Sequence, residues 1–489
     1  MEYNLDELSA IVEEREPNFT DEQRGIFQTI MSAVTQEEEL LVFIDARGGC
    51  GKTYLLNTLL SAVRRIDGGS IALAMATTGI AANLLTLGRT FHSRMKAPLV
   101  VSEKSTLNIT AQSNLATLIR SCKLMMIDEA TMLDRYMLEA LDRTLRDLMD
   151  NDKPFGGKIL VLAGDFRQCL PVVPGASRAE TVDHCINKSH LWQYFEILKL
   201  SVNMRIQASG DRALEEFDRW SLGIGNGDCS SIILPGQYIS TKITPNSAQN
   251  TNSEGEAMIK FCDKVFPNIA NNINNPDWLD GRTILAPTNK EVNMINNTLE
   301  LKLPGITDKL SSADYLENNQ DLLRFNEEYL NSLTPAGFPP HDLRLKKGMP
   351  VMLMRNLNPK DGLCNGTKLV FIRSMENKVL ECQIVGSLRT VFIPRISFIP
   401  KPGEYPFEWK RRQFPIKPAF AITINKSQGQ TLKNAGVWLR TQVFAHGQLY
   451  VACSRVGKPD NIQFAVNQDN TGTVESVNNV VFKEVLLNT

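Results

Sequence analysis

The stretch Leu41-Val42-Phe43-Ile44-Asp45-Ala46-Arg47-Gly48-Gly49-Cys50-Gly51-Lys52-Thr53 reads as an apolar strand, a glycine-rich turn and the start of a helix. A phosphate chain asks for inward-facing backbone N–H groups, a helix N-terminus behind them and one mobile cation. Gly48, Gly49 and Gly51 let the turn curl closely around such a chain, with Cys50 between them. Lys52 is spaced to reach β- and γ-phosphate oxygens, and the Thr53 hydroxyl can ligate Mg²⁺. The usual eight-residue pattern opens on glycine. Ala46 stands there instead, which is acceptable wherever φ is negative. One such loop says only that a nucleoside triphosphate binds.

Outward from this loop, residues 41–44, 71–76, 123–127 and 158–163 are nearly continuous apolar runs, as strands are when helices cover both faces of a parallel sheet. Between them, Leu55, Leu56, Leu59, Leu60 and Val63 share one helical face, as do Leu138, Leu141, Leu145 and Leu148. The pattern is that of a doubly wound α/β domain with the phosphate loop after its first strand. The Ser/Thr-rich stretch 97–114 interrupts it as a small excursion. Residues 223–228 and 244–256 read as loops near the boundary with a second domain. That domain restarts at 283–286, carries an amphipathic helix over 291–301, and resumes at 419–423, 436–439 and 461–466. Short alternating strands at 349–354, 368–372, 378–385 and 390–398 predict a small β-barrel inserted within it.

Four motifs follow the loop in order. Asp128-Glu129 ends a buried strand, where side chains project from the sheet's carboxyl edge. One carboxylate is expected to hold the Mg²⁺ shell (Asp128), the other to orient and polarise the attacking water (Glu129). Gly164-Asp165-Phe166-Arg167-Gln168 should reach the same edge, with Gln168 sensing the γ-phosphate. Thr423-Ile424-Asn425-Lys426-Ser427-Gln428-Gly429 and Tyr450-Val451-Ala452-Cys453-Ser454-Arg455 complete the series. Arg205 and Arg455 are candidate arginine fingers supplied across a domain cleft, where the γ-phosphate would bond both sides. Thr78 opens a helix after a strand, a natural seat for a backbone phosphate. Thr90, Phe91 and His92 offer a hydroxyl, a ring and a switchable donor. Lys410-Arg411-Arg412 beside Phe407 and Trp409 suggests a nucleic-acid groove or a solvated charge run. The ordered set points to triphosphate hydrolysis coupled to motion along nucleic acid. A P-loop kinase or GTPase has no use for the two later motifs.

Bulk properties set outer bounds. The chain has 489 residues, 43% hydrophobic and 22% charged, so two or three ordered domains are expected. No apolar run approaches the roughly 18–20 residues of a membrane helix, so no membrane partner is expected. The acidic start, residues 1–7, resembles neither a secretory signal nor a transit peptide. Nine scattered cysteines, never in Cys-x-x-Cys spacing, argue for reduced thiols and against a zinc site. The net charge of −1 restricts any nucleic-acid path to a local groove.

From about residue 18 to 466 the chain resembles the petite integration frequency (PIF) family of superfamily-one DNA helicases, especially eukaryotic and Helitron-type copies. The likeness is carried by Asp21-Glu22-Gln23-Arg24, the Lys52 loop, Thr78-Gly79-Ile80-Ala81-Ala82, Asp128-Glu129-Ala130, Pro154-Phe155-Gly156-Gly157 and Gly164–Gln168. It continues in Leu363-Cys364-Asn365-Gly366-Thr367, the Ile424–Leu432 motif and Gly447-Gln448-Leu449-Tyr450-Val451-Ala452. It implies two RecA-like domains: a first over 18–205 with a wedge at about 97–114, a connection over 206–282, and a second over 283–489 with a β-barrel at about 345–402. Residues 1–17 would be a tail. The resemblance further implies ATP- and Mg²⁺-dependent travel along single-stranded DNA from 5′ to 3′, unwinding of forked duplexes, a monomeric state and work in repair, recombination and telomere maintenance, most readily in the nucleus. It places Gln23 at adenine and Gly429 beside the nucleotide. It sets Thr78, Thr90, His92, Asn289, Thr423, Asn425, Lys426 and Gln428 on or beside the DNA path. Cys50, where threonine or serine is usual, borders the phosphates, so alkylation there is expected to slow hydrolysis.

Overall fold

The computed structural model describes residues 3–244, 253–316, 325–335, 337–358, 361–387, 389–401, 403–469 and 473–486. Its first domain is built on six strands: β1 (Leu41–Ala46), β2 (Ile71–Ala76), β3 (Arg89–Thr90), β4 (Cys122–Asp128), β5 (Leu160–Gly164) and β6 (Glu196–Leu200). They lie in the order β3-β2-β4-β5-β1-β6, every pairing parallel. β1, β4 and β5 are almost wholly buried, which is why their sequences are apolar without alternation.

Helix α1 (Leu5–Arg15) comes first, then α2 (Asp21–Gln36) and α3 (Lys52–Arg64). Within the stretch 1–17, expected as a tail, Leu5–Arg15 thus form a helix with Leu8 and Val12 buried. α2 opens on a capping box in which Thr20 and Gln23 satisfy each other's backbone N–H groups. On α3, Leu55, Leu56, Leu59, Leu60 and Val63 are all 0% exposed, each burial worth roughly 1.5–3 kcal/mol. Helix α4 (Gly79–Leu84) follows β2, α5 (Phe91–Met95) follows β3, α6 (Asn114–Arg120) precedes β4, and α7 (Arg135–Met149) covers the sheet with Leu138, Leu141, Leu145 and Leu148. The 97–114 excursion is irregular up to the start of α6. Leu107 anchors it in the first core, while Leu99 and Val100 are 82% and 78% exposed.

The second sheet runs Ala421–Thr423, Arg282–Ala286, Asn434–Leu439, Ile462–Asn467, Ile239–Ile243, again all parallel. Its edge strand Ile239–Ile243 and the covering helix Ser253–Val265 lie inside the stretch assigned from sequence to a connection. The boundary is shifted because this edge strand, Ile239-Ser240-Thr241-Lys242-Ile243, is polar at its three central positions and does not stand out as an apolar run. Of the loop expected over 244–256, residues 245–252 lie outside the described residues.

The inserted β module is larger than 345–402. Five antiparallel strands (Thr390–Pro394, Val379–Ile384, Lys368–Met375, Pro350–Leu353, Ile416–Pro418) pack around Leu343, Val351, Leu369 and Phe371. A smaller sheet of Ala313–Leu316, Trp409–Gln413 and Ile396–Phe398 closes on Leu316, Leu330, Phe407 and Trp409. Of the residues in the expected barrel, 359, 360, 388 and 402 lie outside the described ones.

Finally, the chain recrosses the domain boundary. Phe482 and Val485, beyond the last strand of the second sheet, are buried in the core of the first domain.

Candidate nucleotide site and interdomain cleft

β1 delivers the glycine-rich turn to the carboxyl edge of the first sheet. Ala46 is its last residue, in extended backbone, so glycine is not required there. Gly49 (φ +89°) and Gly51 (φ +74°) do need their freedom, and a Cβ on Gly51 would lie 2.5 Å from Gln23 Nε2. Gln23 is fully buried, and its Nε2 donates to the Cys50 carbonyl at 3.2 Å, tying α2 to the loop. Cys50 itself is 1% exposed, and burial pushes its thiol up to about 11. Alkylation of Cys50, expected to slow hydrolysis, therefore has to wait for the loop to open, because the thiol is buried and burial disfavours its thiolate.

Lys52 Nζ donates to Asp128 Oδ1 at 2.5 Å and to Glu129 Oε1 at 3.0 Å. Burial opposes the Lys52 charge, but the two carboxylates outweigh it and hold the ammonium protonated. Burial pushes the Asp128 carboxyl up, Lys52 pulls it back, and the Glu129 charge adds to the rise. Glu129 would also rise by burial, but Lys52 and a side-chain donor from Gln428 hold it below the ordinary carboxylate range. The two carboxyls titrate as one unit. Glu129 takes φ +52°, an uncommon left-handed backbone for a non-glycine residue, and the Thr77 hydroxyl donates to its carbonyl at 2.9 Å. Lys52, Asp128 and Glu129 thus form one buried cluster at the helix N-terminus.

The second domain supplies the opposite wall. A cavity of about 310 Å³ is lined by Gly49, Lys52, Glu129, Gln168, Gly429 and Arg455, among others, and so belongs to both domains. Arg455 is 4% exposed; its Nη2 donates to Gln168 Oε1 at 3.5 Å and to Ser454 Oγ at 2.8 Å. Gln168 Nε2 donates to Asp165 Oδ2 at 3.3 Å, and the Tyr450 hydroxyl donates to the same oxygen at 3.1 Å. Arg205 lines the cavity too, but it follows β6 and belongs to the first domain's side. The expectation that it is supplied across the cleft is corrected: its guanidinium reaches the other way, to the Val456 carbonyl at 3.5 Å.

The expected DNA-path residues do not share one environment. Thr78 caps α4 and Thr90 caps α5, each hydroxyl accepting from a backbone N–H of the first turn. His92, Asn289 and Lys426 are exposed, whereas Thr423 is buried at the end of its strand. Asn425 is half-buried and accepts from Gln448 Nε2 at 2.8 Å. Gln428 is the clearest departure: it is 0% exposed and donates through Nε2 to Glu129 Oε2 at 2.9 Å. A side chain committed inside the cleft is withdrawn from a DNA groove.

Arg411 departs as well. It is fully buried, holds Asp314 through Nε and Nη2 at 2.6–3.0 Å, and donates to the carbonyls of Pro339 and Leu330. With Phe407 and Trp409 it forms the interior of the inserted module rather than the wall of a groove.

Two groups to which sequence reasoning gave no role, and one contact it did not foresee, also matter. His446 Nδ1 accepts from the Phe482 N–H at 2.8 Å, so its Nε2 carries the proton and donates to the Phe166 carbonyl at 2.7 Å. Arg47 pairs with Asp218 at 2.8 Å beside the loop. Gly79 packs so tightly on the Asn365 carbonyl that a Cβ there would lie 2.0 Å from it. The Thr78 and Asn365-Gly366 motifs were both visible in the sequence; their contact was not.

A model of the PIF1-like helicase family matches residues 18–233, and one of the DNA helicase Pif1 2B domain matches residues 328–373. Residues 18–233 belong to the PIF1-like helicase family. The ATP-dependent DNA helicase PIF1 of Xenopus laevis is 26% identical over 447 residues, covering 89% of this chain and 59% of that protein. The ATP-dependent DNA helicase PIF7 of Trypanosoma brucei brucei is 25% identical over 484 residues, covering 91% and 46%. This chain thus spans about half to three-fifths of the length of these relatives. Among solved structures, Pif1 helicase from Bacteroides in complex with ADP-AlF3 and single-stranded DNA shares 22% identity and a TM-score of 0.65, covering 93% of this chain and 94% of that one. Pif1 helicase from Candida albicans gives 22% and 0.62, with 94% and 97% covered. The PIF1-like fold, two RecA-like sheets with the inserted module, is therefore common to all three.

Proposed function

We propose that this chain is an ATP-driven motor that travels along single-stranded DNA from 5′ to 3′ and unwinds the duplex ahead. One observation carries the reading: the composite cleft, in which Lys52, Asp128 and Glu129 of the first domain face Gln428 and Arg455 of the second. A cleft lined from both sides closes on a triphosphate and reopens after hydrolysis, and that cycle is what moves a strand.

The chemistry follows from the side chains. Lys52 turns from the carboxylates to the β- and γ-phosphate oxygens when ATP enters, leaving Glu129 free to take a proton from the attacking water. The water oxygen bonds to the γ-phosphorus as the bond to ADP breaks. Arg455 and Arg205 offset charge on the γ-phosphoryl oxygens, and Gln168 reports their presence to Asp165. Asp128 and Thr53 suit Mg²⁺, a hard ion that keeps several waters and takes few protein ligands, and it would screen the phosphate charge there. Gln23 takes the adenine edge. Thr78, Thr90, His92, Asn289, Thr423, Asn425 and Lys426 are the DNA contacts of this reading.

The family resemblance supports work in DNA repair, recombination and telomere maintenance, in the nucleus, by a monomer. Among the described residues no helix is long and apolar enough to cross a membrane. The deciding experiment is unwinding of a duplex bearing either a 5′ or a 3′ single-stranded tail, with Lys52→Ala as the blank. Opening of the 5′-tailed duplex alone, lost in the variant, is the expected result. Opening of neither reduces the reading to a nucleotide-gated DNA clamp.

A further inference from the structure

Gln428 is buried where the family resemblance had set a DNA contact. A buried amide is costly unless its polar atoms are bonded. Its Nε2 is satisfied by Glu129 Oε2 at 2.9 Å, while its Oε1 is buried with no hydrogen-bond partner among the described residues. Native interiors leave few acceptors in that condition, and each asks for an explanation. The neighbouring backbone is close as well: a Cβ on Gly429 would lie 3.8 Å from Glu129 Oε1 and 3.4 Å from Ala81 Cβ. The amide is therefore held against the acid end of β4 by the chain around it.

The two oxygens of Glu129 are thereby held from different domains. Lys52 of the first donates to Oε1 and Gln428 of the second to Oε2. When Lys52 leaves for phosphate, Gln428 is, among the described residues, the remaining side-chain donor that fixes the plane of the carboxylate. Its own position is set by the short turn Ile424–Ser427, since the Gln428 N–H closes on the Asn425 carbonyl at 3.4 Å and the Asn425 side chain is pinned by Gln448.

We propose that Gln428 is a positioning residue for hydrolysis: through Nε2 it orients Glu129, the carboxylate that takes the proton of the attacking water. The inference rests on the motor reading above and refines it. Because Gln428 ends the turn that carries Asn425 and Lys426, a strand pressing on that turn shifts the amide and with it the carboxylate. DNA thus acts on the catalytic base through one turn of backbone.

The test uses the full chain with Gln428→Leu and the near-isosteric Gln428→Glu, which loses the donor and keeps the volume. Steady-state ATP hydrolysis is measured with and without single-stranded DNA, separating kcat from KM, and DNA affinity is measured by fluorescence anisotropy. Supporting-residue losses run roughly 10–100-fold, and both variants are expected to lose that much in DNA-stimulated kcat. KM for ATP and the Kd for DNA are expected to stay within about twofold. Stimulation by DNA falls more than basal turnover. Unchanged kcat with weakened DNA affinity would return Gln428 to the DNA path and overturn the inference. So would a loss confined to thermal stability, which would make the contact a domain staple. A wild-type chain with no ATP hydrolysis would instead overturn the motor reading itself, and the variants distinguish the two failures.

Discussion

Arg455 of the second domain and Gln168 of the first meet inside the cleft, Nη2 to Oε1 at 3.5 Å. The contact is long for a hydrogen bond, and it joins the proposed finger to the proposed sensor. Arg455 is otherwise spent on carbonyls of its own domain, Val451 at 3.0 Å and Gln430 at 3.2 Å, which hold the fork in place. Its geometry is prepared rather than found on binding.

From this, Arg455→Lys is expected to lower kcat for ATP hydrolysis by about 10³-fold, because an ammonium keeps the charge and loses the fork. The Kd for single-stranded DNA, read by anisotropy, should hardly move. A kcat within a few-fold of wild type would remove Arg455 from the chemistry.

The Asp314–Arg411 pair, at 2.6 Å and with both side chains 0% exposed, predicts a stability effect and no direct DNA effect. Asp314→Ala strands a buried guanidinium and should cost about 3–5 kcal/mol in urea unfolding of the full chain. Replacing both partners, Asp314→Leu with Arg411→Met, should recover most of it. Recovery of DNA affinity along with stability would confirm that Arg411 serves the module's interior.

His446 gives a pH dependence of definite sign. Burial pushes its imidazole down from 6.5 to about 4. Unfolding therefore takes up a proton between those values, so the native state has its full stability above about 6.5 and loses it as pH falls toward 4. The loss approaches about 1.4 kcal/mol per pH unit within that window. Chemical unfolding at pH 7.5, 6.0 and 5.0 should show a steeper decline for wild type than for His446→Gln, which can keep both hydrogen bonds. Parallel declines would contradict the assignment.

Thiol accessibility supplies a further check. Cys229 is exposed and Cys50 is buried. Iodoacetamide at pH 7.5 should modify Cys229 in the native chain, leave Cys50 unmodified by mass spectrometry, and spare ATP hydrolysis. Rapid labelling of Cys50 would show that the loop opens far more often than its packing suggests.

Much of the first domain was legible because its strands are buried on both faces and its phosphate loop depends on local backbone freedom. Gly49 and Gly51 need positive φ whatever surrounds them, and Lys52 follows them in chain order. The N-terminal helix and the edge strand Ile239–Ile243 were missed for the opposite reason: one is short and acidic, the other polar at its three central positions. Arg411 was misread because a charge run looks alike on a surface and in a core. Its buried partner Asp314 lies 97 residues away.

By itself, the sequence determined the order of the motifs, the parallel α/β texture and the chemistry available at Lys52, Asp128 and Glu129, since these depend on residue type and short-range spacing. Only the tertiary structure decided which groups meet across the cleft: Gln428 on Glu129, Arg455 on Gln168, His446 between Phe166 and Phe482. Apart from Phe482, 36 residues from His446, these partners lie 280–299 residues apart and are chosen by how two separate sheets pack together, and no local pattern records that choice.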